Sequence, residues 1–137
     1  MTYDIDDILF FQARAQRLKL PHPPEFRGPP ETLQAICNGI GGERSKLTPV
    51  LTWALARYQT SGAIHDVRYH VGGTGADRKA ADLEFKNNLL AEWKDEWGFF
   101  RWFRPLARAQ RKQLLAAYMA VRLNGYKYFN FKEEEKK

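Results

Sequence analysis

An all-α fold of about five helices, with little or no sheet, is what the sequence predicts, on three observations. Apolar residues recur at steps of three and four along most of the chain, as one face of a helix requires. Pro and Gly fall between these periodic runs, where helices start and stop. No segment sustains the alternation of a half-buried strand; VRYHV (67–71) is short and lies inside a better helical pattern.

Asp4–Lys19 predicts an amphipathic helix with Ile5, Ile8, Leu9, Gln12 and Ala15/Gln16 near one face. Acids in its first turn and Arg14, Arg17 and Lys19 at its end suit the helix dipole. Leu20–Pro30 holds five prolines in eleven residues and reads as an extended strap across the domain. A short helix is expected over Glu31–Cys37, behind Pro29-Pro30 and ending at Asn38-Gly39. CNGIGGERSK then puts three glycines in four positions and is expected to be a loop. It is either a cap followed by a turn, or a backbone able to turn its carbonyls inward.

Thr48-Pro49 starts the next helix, with Val50, Trp53, Ala54, Arg57 and Tyr58 at helical spacing. Thr60-Ser61-Gly62 either interrupts that helix or lets it run on through Tyr69 and His70. Gly72-Gly73-Thr74-Gly75 ends it. Asp77–Trp97 resumes the helical period, with Ala81, Phe85, Leu89 and Trp93 at four-residue steps. Gly98 breaks the pattern, and Pro105 opens a last helix through Leu123. Its inner stripe is Leu106, Gln110, Leu114, Ala117, Tyr118 and Val121, and Asn124-Gly125 caps it. FKEEEKK is a solvated tail.

A chain of 137 residues is one domain by length, and 44% hydrophobic with 14% aromatic is enough for a real core. The single cysteine, Cys37, cannot close an internal disulfide, so packing or metal holds the fold together. The opening MTYDIDDILFF carries acids where a signal peptide has a basic region, and no apolar run approaches the roughly 20 residues that span a bilayer. The expectation is a cytoplasmic protein, or one released without a recognisable signal peptide. A net charge of +6 favours an anionic partner, either nucleic acid or lipid headgroups.

Chemistry gathers in Ser61–Phe85. Successive helical residues turn by about 100°, so His65 and Tyr69 share a face and Asp66 sits a quarter-turn round. If Asp82 comes from an antiparallel helix after the glycine turn, its carboxylate reaches that face. A carboxylate bonded to one imidazole nitrogen fixes the tautomer and leaves the other to act as a base. Tyr69 can brace the same carboxylate. Asp66 points toward whatever lies beside the base, and a calcium ion wants about six to eight oxygens from carboxylates, carbonyls and water. The glycine stretch at 37–42 is the nearest source of aligned carbonyls.

Taken together, HDVRY, ADLEF and the upstream NGIGG resemble the phospholipase A2 superfamily, in its disulfide-poor bacterial, fungal and viral branches. The resemblance covers roughly Ile36–Leu90. It implies a small helical domain built on two antiparallel helices that carry a His-Asp site. It divides the single domain 1–137 into an N-terminal helix and strap (1–30), a phospholipase A2-like core (31–97), and a C-terminal helix with charged tail (98–137). It implies calcium-dependent hydrolysis of the sn-2 ester of a glycerophospholipid. His65 is then the base, Asp82 its orienter and Tyr69 the support. Asp66 and the carbonyls of Cys37, Gly39 and Gly41 are the calcium ligands, and the Gly39 amide is an oxyanion donor. A longer gap than usual separates NGIGG from the His-Asp pair. The rival class is a catalytically silent scaffold or assembly protein of phage or prophage type. A metal phosphohydrolase also uses a His-Asp pair but needs further ligands that three histidines hardly supply.

Trp93, Trp97, Phe99, Phe100, Trp102 and Phe103 cluster around Arg101 and Arg104. One reading is a core corner where two helices meet. The other is an interfacial patch made by Trp97, Phe99, Phe100, Arg101, Trp102 and Arg104, docking peripherally on a phospholipid membrane. Lys and Arg are scattered over several helices, so no nucleic-acid partner is expected. His70 is expected at the surface or core edge, and His22 within the strap.

Overall fold

The computed structural model describes residues 2–44, 53–54 and 56–132, without the side chains of 40–44. Among these residues it is all-helical: α1 (Ile5–Arg17), α2 (Pro30–Arg44), α3 (Gln59–Val71), α4 (Gly75–Trp97) and α5 (Pro105–Asn124). Short 3-10 turns lie at Pro24–Arg27, Gly98–Phe103 and Gly125–Lys127. Among the described residues the one β contact is an isolated bridge between Gly73 and Phe131.

Local chemistry sets most of the boundaries. Asp4 caps α1 in a reciprocal box with Asp7, and Thr74 does the same for α4 with Asp77. Pro30 and Pro105 open α2 and α5, where a missing N–H is harmless. Tyr58 offers α3 no side-chain cap; instead the buried Glu92 carboxylate on α4 accepts from the Ser61 backbone N–H at 3.0 Å and its hydroxyl at 2.5 Å. A carboxylate at a helix N-terminus satisfies one of the orphan amides and suits the dipole. Arg14 of α1 donates to the other oxygen of Glu92 at 2.8 Å, tying a third helix to this junction.

Paired contacts fix the directions. Ser61 meets Glu92, His65 and Tyr69 meet Asp82, and Arg68 meets Glu84. The start of α3 meets the far end of α4 at Glu92 and its end meets the near part at Asp82 and Glu84, so α3 and α4 are antiparallel. Arg78 bonds the Val121 carbonyl and Trp93 the Ala107 carbonyl, which makes α4 and α5 antiparallel as well. The turn between α3 and α4 needs Gly72 at φ +74°, where its backbone lies against Asn130.

Two apolar clusters flank this arrangement. Ile8, Phe11, Leu20, Phe26, Leu33, Cys37, Ile64 and Val67 join α1, the strap, α2 and α3. Phe85, Leu89, Trp93, Ala107, Leu114, Ala117 and Val121 join α4 and α5. α3 is buried over Thr60–Val67 and again at Tyr69, as a central helix must be. Its polar residues therefore end up inside the protein.

Several expectations need correction. The inner face of α1 is Ile8, Phe11 and Ala15, while Leu9 is exposed, so the apolar face is rotated from the one anticipated. The strap contains a 3-10 turn at Pro24–Arg27, held by Gln12, whose amide donates to the carbonyls of Phe26 and Gly28. In α5, Leu106 is exposed and Ala107 takes the buried place, while Gln110, Leu114, Ala117 and Val121 are buried as expected. The largest difference is at α2. The helix does not stop at Asn38-Gly39 but continues to Arg44. Asn38 clamps the N-terminal segment instead, accepting from the Tyr3 N–H at 2.6 Å and donating to its carbonyl at 3.0 Å. Thr48, Pro49 and Val50 lie outside the described residues; Tyr58 marks the break before α3.

Candidate functional site

The antiparallel α3–α4 pair brings His65, Tyr69 and Asp82 together as anticipated. His65 Nε2 lies 2.7 Å from Asp82 Oδ1, and the Tyr69 hydroxyl donates to the same oxygen at 2.7 Å. Arg122 of α5 donates to the other oxygen, Oδ2, at 2.6 Å, and Arg78 stands 3.9 Å from it. The side chains of His65 and Asp82 are fully buried. The imidazole is held between rings: Phe85 stacks at 4.6 Å and Tyr69 packs tilted at 4.2 Å between centroids. Phe129 packs edge-on against Tyr69 from behind.

The electrostatics of the carboxylate follow from these partners. Burial alone pushes the Asp82 carboxyl up, but the bonds from His65, Tyr69 and Arg122 outweigh it and hold the group below the ordinary range. Asp82 is therefore ionised at neutral pH and can only accept. The proton of the His65–Asp82 bond must sit on Nε2, which fixes the tautomer and places the neutral ring's lone pair on Nδ1. Tyr69 is driven the other way: burial first, then the Asp82 charge and the bond to it, raise its hydroxyl well above the usual value. It stays a neutral donor.

Asp66 is buried next to His65 on α3. Cys37 is buried too, and its thiol lies 3.9 Å from the Ala63 carbonyl, one helical turn before Asp66. The residue just before NGIGG thus packs against the His-Asp helix, although in sequence it stands far upstream. Its conformation differs from the expectation, because residues 37–44 are helical. In a helix the carbonyls of Cys37 and Gly39 meet amides four residues on, and all carbonyls run parallel to the axis. The Gly41 carbonyl belongs to the last turn and points the same way. Parallel carbonyls cannot converge on one cation, and the Gly39 amide, committed to the carbonyl of residue 35, cannot serve as an oxyanion donor. Among the described residues, one buried carboxylate with this helix supplies too few converging oxygens for a calcium ion. Among the described residues there is no group of three or more His, Cys, Asp or Glu side chains placed to hold a metal.

The aromatic cluster divides. Trp93 is core, and Trp97 is half-buried with its indole donating to Gln110 at 2.9 Å. Phe99, Phe100, Trp102 and Phe103 are 77%, 60%, 47% and 73% exposed. The core-corner reading fails for the three phenylalanines, while Trp102 keeps an edge-on contact with the buried Trp93 at 5.4 Å between centroids. Arg104 is exposed and Arg101 half-buried. His70 is exposed, and His22 sits in the strap bonded to Arg27 and the Leu20 carbonyl.

Arg122, Phe85 and Glu92 are the residues that the sequence did not single out for these roles. Arg122 comes from 40 positions away, and nothing in its local pattern separates it from the other arginines of α5. Ser61–Glu92, 31 residues apart, is equally non-local. No family model, no curated protein and no solved structure matches the chain. No helix among the described residues is long and apolar enough to cross a membrane.

Proposed function

We propose that the protein is a phospholipase A2-like carboxylic ester hydrolase that works at a phospholipid surface, with His65 as general base. One observation carries this reading: the Asp82 oxygen that receives both His65 Nε2 and the Tyr69 hydroxyl at 2.7 Å. The resemblance of HDVRY and ADLEF implies that same set of roles, and the geometry supplies its two bonds. In the proposed step, Nδ1 takes a proton from water as the water oxygen bonds to the sn-2 ester carbonyl carbon. The imidazolium, stabilised by Asp82, then returns that proton to the leaving lysophospholipid oxygen as the C–O bond breaks. Positioned proton transfer of this kind contributes about 10²- to 10⁴-fold.

Calcium belongs to the family resemblance rather than to the donors in place, so no step is routed through it. Calcium dependence requires residues 37–42 to leave the helix they occupy. A catalytically silent scaffold is the second reading. It is favoured by the complete burial of His65 and Asp82 and by the Arg122 bond, which together cross-link α3, α4 and α5.

Hydrolysis of mixed phospholipid vesicles, with calcium and with chelator, separates these readings for the wild type and His65→Gln. The hydrolase reading expects product only with His65, and calcium dependence appears as loss on chelation. Equal rates in all four conditions, with both proteins folded by circular dichroism, leave only the scaffold.

A further inference from the structure

Lysines and arginines are spread along this chain, but its acids are not, so the net charge is segregated. From Gly98 to Lys132 there is no aspartate or glutamate, against eight lysines and arginines, so this C-terminal part carries more than the whole net charge of +6. The remainder of the chain is slightly acidic. The nearest acids before the segment are already engaged: Asp95 with Arg14 and Arg17, and Glu96 with Arg57.

The two most exposed large apolar residues among those described, Phe99 and Phe103, stand at the start of this basic stretch. Gly98 ends α4 at φ +64°, a conformation that favours glycine, and the chain turns through a 3-10 segment before Pro105 starts α5. The segment has no buried residue. It presents Phe99, Phe100, Trp102 and Phe103, followed by the exposed Leu106. Arg101 and Arg111 lie over the Trp102 ring at 5.7 and 5.5 Å. Arg101 donates through Nη1 to the Gly98 carbonyl at 2.9 Å, which holds its guanidinium along the turn beside these rings.

We infer that the Gly98–Leu106 turn is a membrane-docking wedge, whose phenylalanines enter an anionic bilayer while Arg101, Arg104, Arg108 and Lys112 meet lipid phosphates. Phenylalanine has no polar atom to satisfy, so an apolar acyl boundary suits it better than a polar partner does. A single-stranded nucleic acid needs a groove that tracks its backbone, whereas this is a turn at the end of a helix pair. Self-association would place two strongly cationic tips together. The inference rests on the proposed function only in naming a bilayer as the occupant. Trp97 is about 22 Å along α4 from Asp82, so docking and chemistry can be measured separately.

The test is co-sedimentation of the full chain with phosphatidylcholine vesicles, with and without phosphatidylglycerol, together with Trp fluorescence. Binding that needs the anionic lipid, with a blue shift lost in Trp102→Phe, is expected. Phe99→Ser with Phe103→Ser is expected to weaken partitioning about tenfold or more per residue. Arg101→Gln and Arg104→Gln are expected to weaken it roughly fivefold each, less at high salt. Circular dichroism checks that these exposed variants remain folded. Binding unchanged in the Phe variants overturns the inference, as does no binding to anionic vesicles. So does oligonucleotide binding, or a dimer, that Phe99→Ser abolishes in place of vesicle binding. His65→Gln is expected to bind vesicles like the wild type. If it does and hydrolysis is absent, only the chemistry fails; if a dispersed short-chain ester is hydrolysed but vesicles are not bound, only the wedge fails.

Discussion

Replacing Asp82 with asparagine keeps the side chain's volume and removes its charge. In the native protein that fully buried carboxylate accepts from His65, Tyr69 and Arg122 at 2.6 to 2.7 Å. An amide offers one acceptor oxygen and turns an NH₂ toward at least one of those donors, so one bond is lost and one repulsion gained. Bonds to a charged group contribute about 1.5–3 kcal/mol each, and breaking a buried ion pair costs about 3–5 kcal/mol. Arg122 keeps 26% of its side chain in solvent and can rehydrate in part, which favours the lower end. We expect a loss of about 3 kcal/mol at neutral pH, or about 10 °C in Tm for a chain of this size. The pH dependence has a definite sign. The Asp82 carboxyl is depressed in the folded state, so its contribution is full above its unfolded value, near 3.9, and disappears as pH falls through the folded value. Urea unfolding of both proteins, followed by circular dichroism from neutral to acid pH, reads this directly. The wild-type advantage should shrink below about pH 4. An Asp82→Asn loss under about 1 kcal/mol, or a gap that persists at low pH, would refute the ionised three-donor carboxylate.

Tyr69→Phe removes one of the three donors and is expected to cost about 1.5–3 kcal/mol by urea unfolding. Gly125 lies against the Tyr69 ring so closely that an added methyl meets the hydroxyl first. Gly125→Ala should therefore destabilise the wild type by more than it destabilises Tyr69→Phe, and a double-mutant cycle measures the difference. Equal effects in both backgrounds would place the strain elsewhere. Gly39 sits exposed in α2 with nothing within 4 Å of an added methyl. Gly39→Ala is expected to stabilise the helix by about 1 kcal/mol, seen as a rise in Tm. If hydrolysis needs 37–42 as a loop, the same substitution lowers the rate while raising Tm.

What was legible in the sequence was local. His65 and Tyr69 share a face because they are one turn apart, and Asp82 returns to that face because a three-residue turn, Gly72-Gly73-Thr74, reverses the chain. Asp82 lies about two turns into α4, level with His65 about two turns back from the end of α3. Ala81, Phe85, Leu89 and Trp93 are buried for the same reason, a stripe at four-residue steps. Arg122 was not legible, because its approach depends on how α5 lies against α4. The exposure of Phe99 and Phe103 is also tertiary, since aromatic content alone does not say which side of a turn faces water. The face of α1 was misread because Leu9 and Phe11 are both apolar, and only the packing partners, α2 and α3, choose between them.

The glycines at 37–42 were misread as a necessary break, and the physical reason bears on function. Gly39, Gly41 and Gly42 each weaken a helix by about 1 kcal/mol relative to alanine, so propensity alone argues for a loop. Tertiary contacts at the near end oppose it: Cys37 is buried against Ala63, and Asn38 clamps Tyr3. Those contacts hold the helix as far as residue 38 but say nothing in favour of glycine at 39, where no neighbour excludes a side chain. A glycine with no steric reason, in a helix it weakens, two residues after a cysteine packed on the His-Asp helix, is what separates the two functional readings. If the stretch serves only as helix, alanine at 39 is better in every assay. If it must open toward Asp66, stability and hydrolysis move in opposite directions, and that divergence favours the hydrolase over the scaffold.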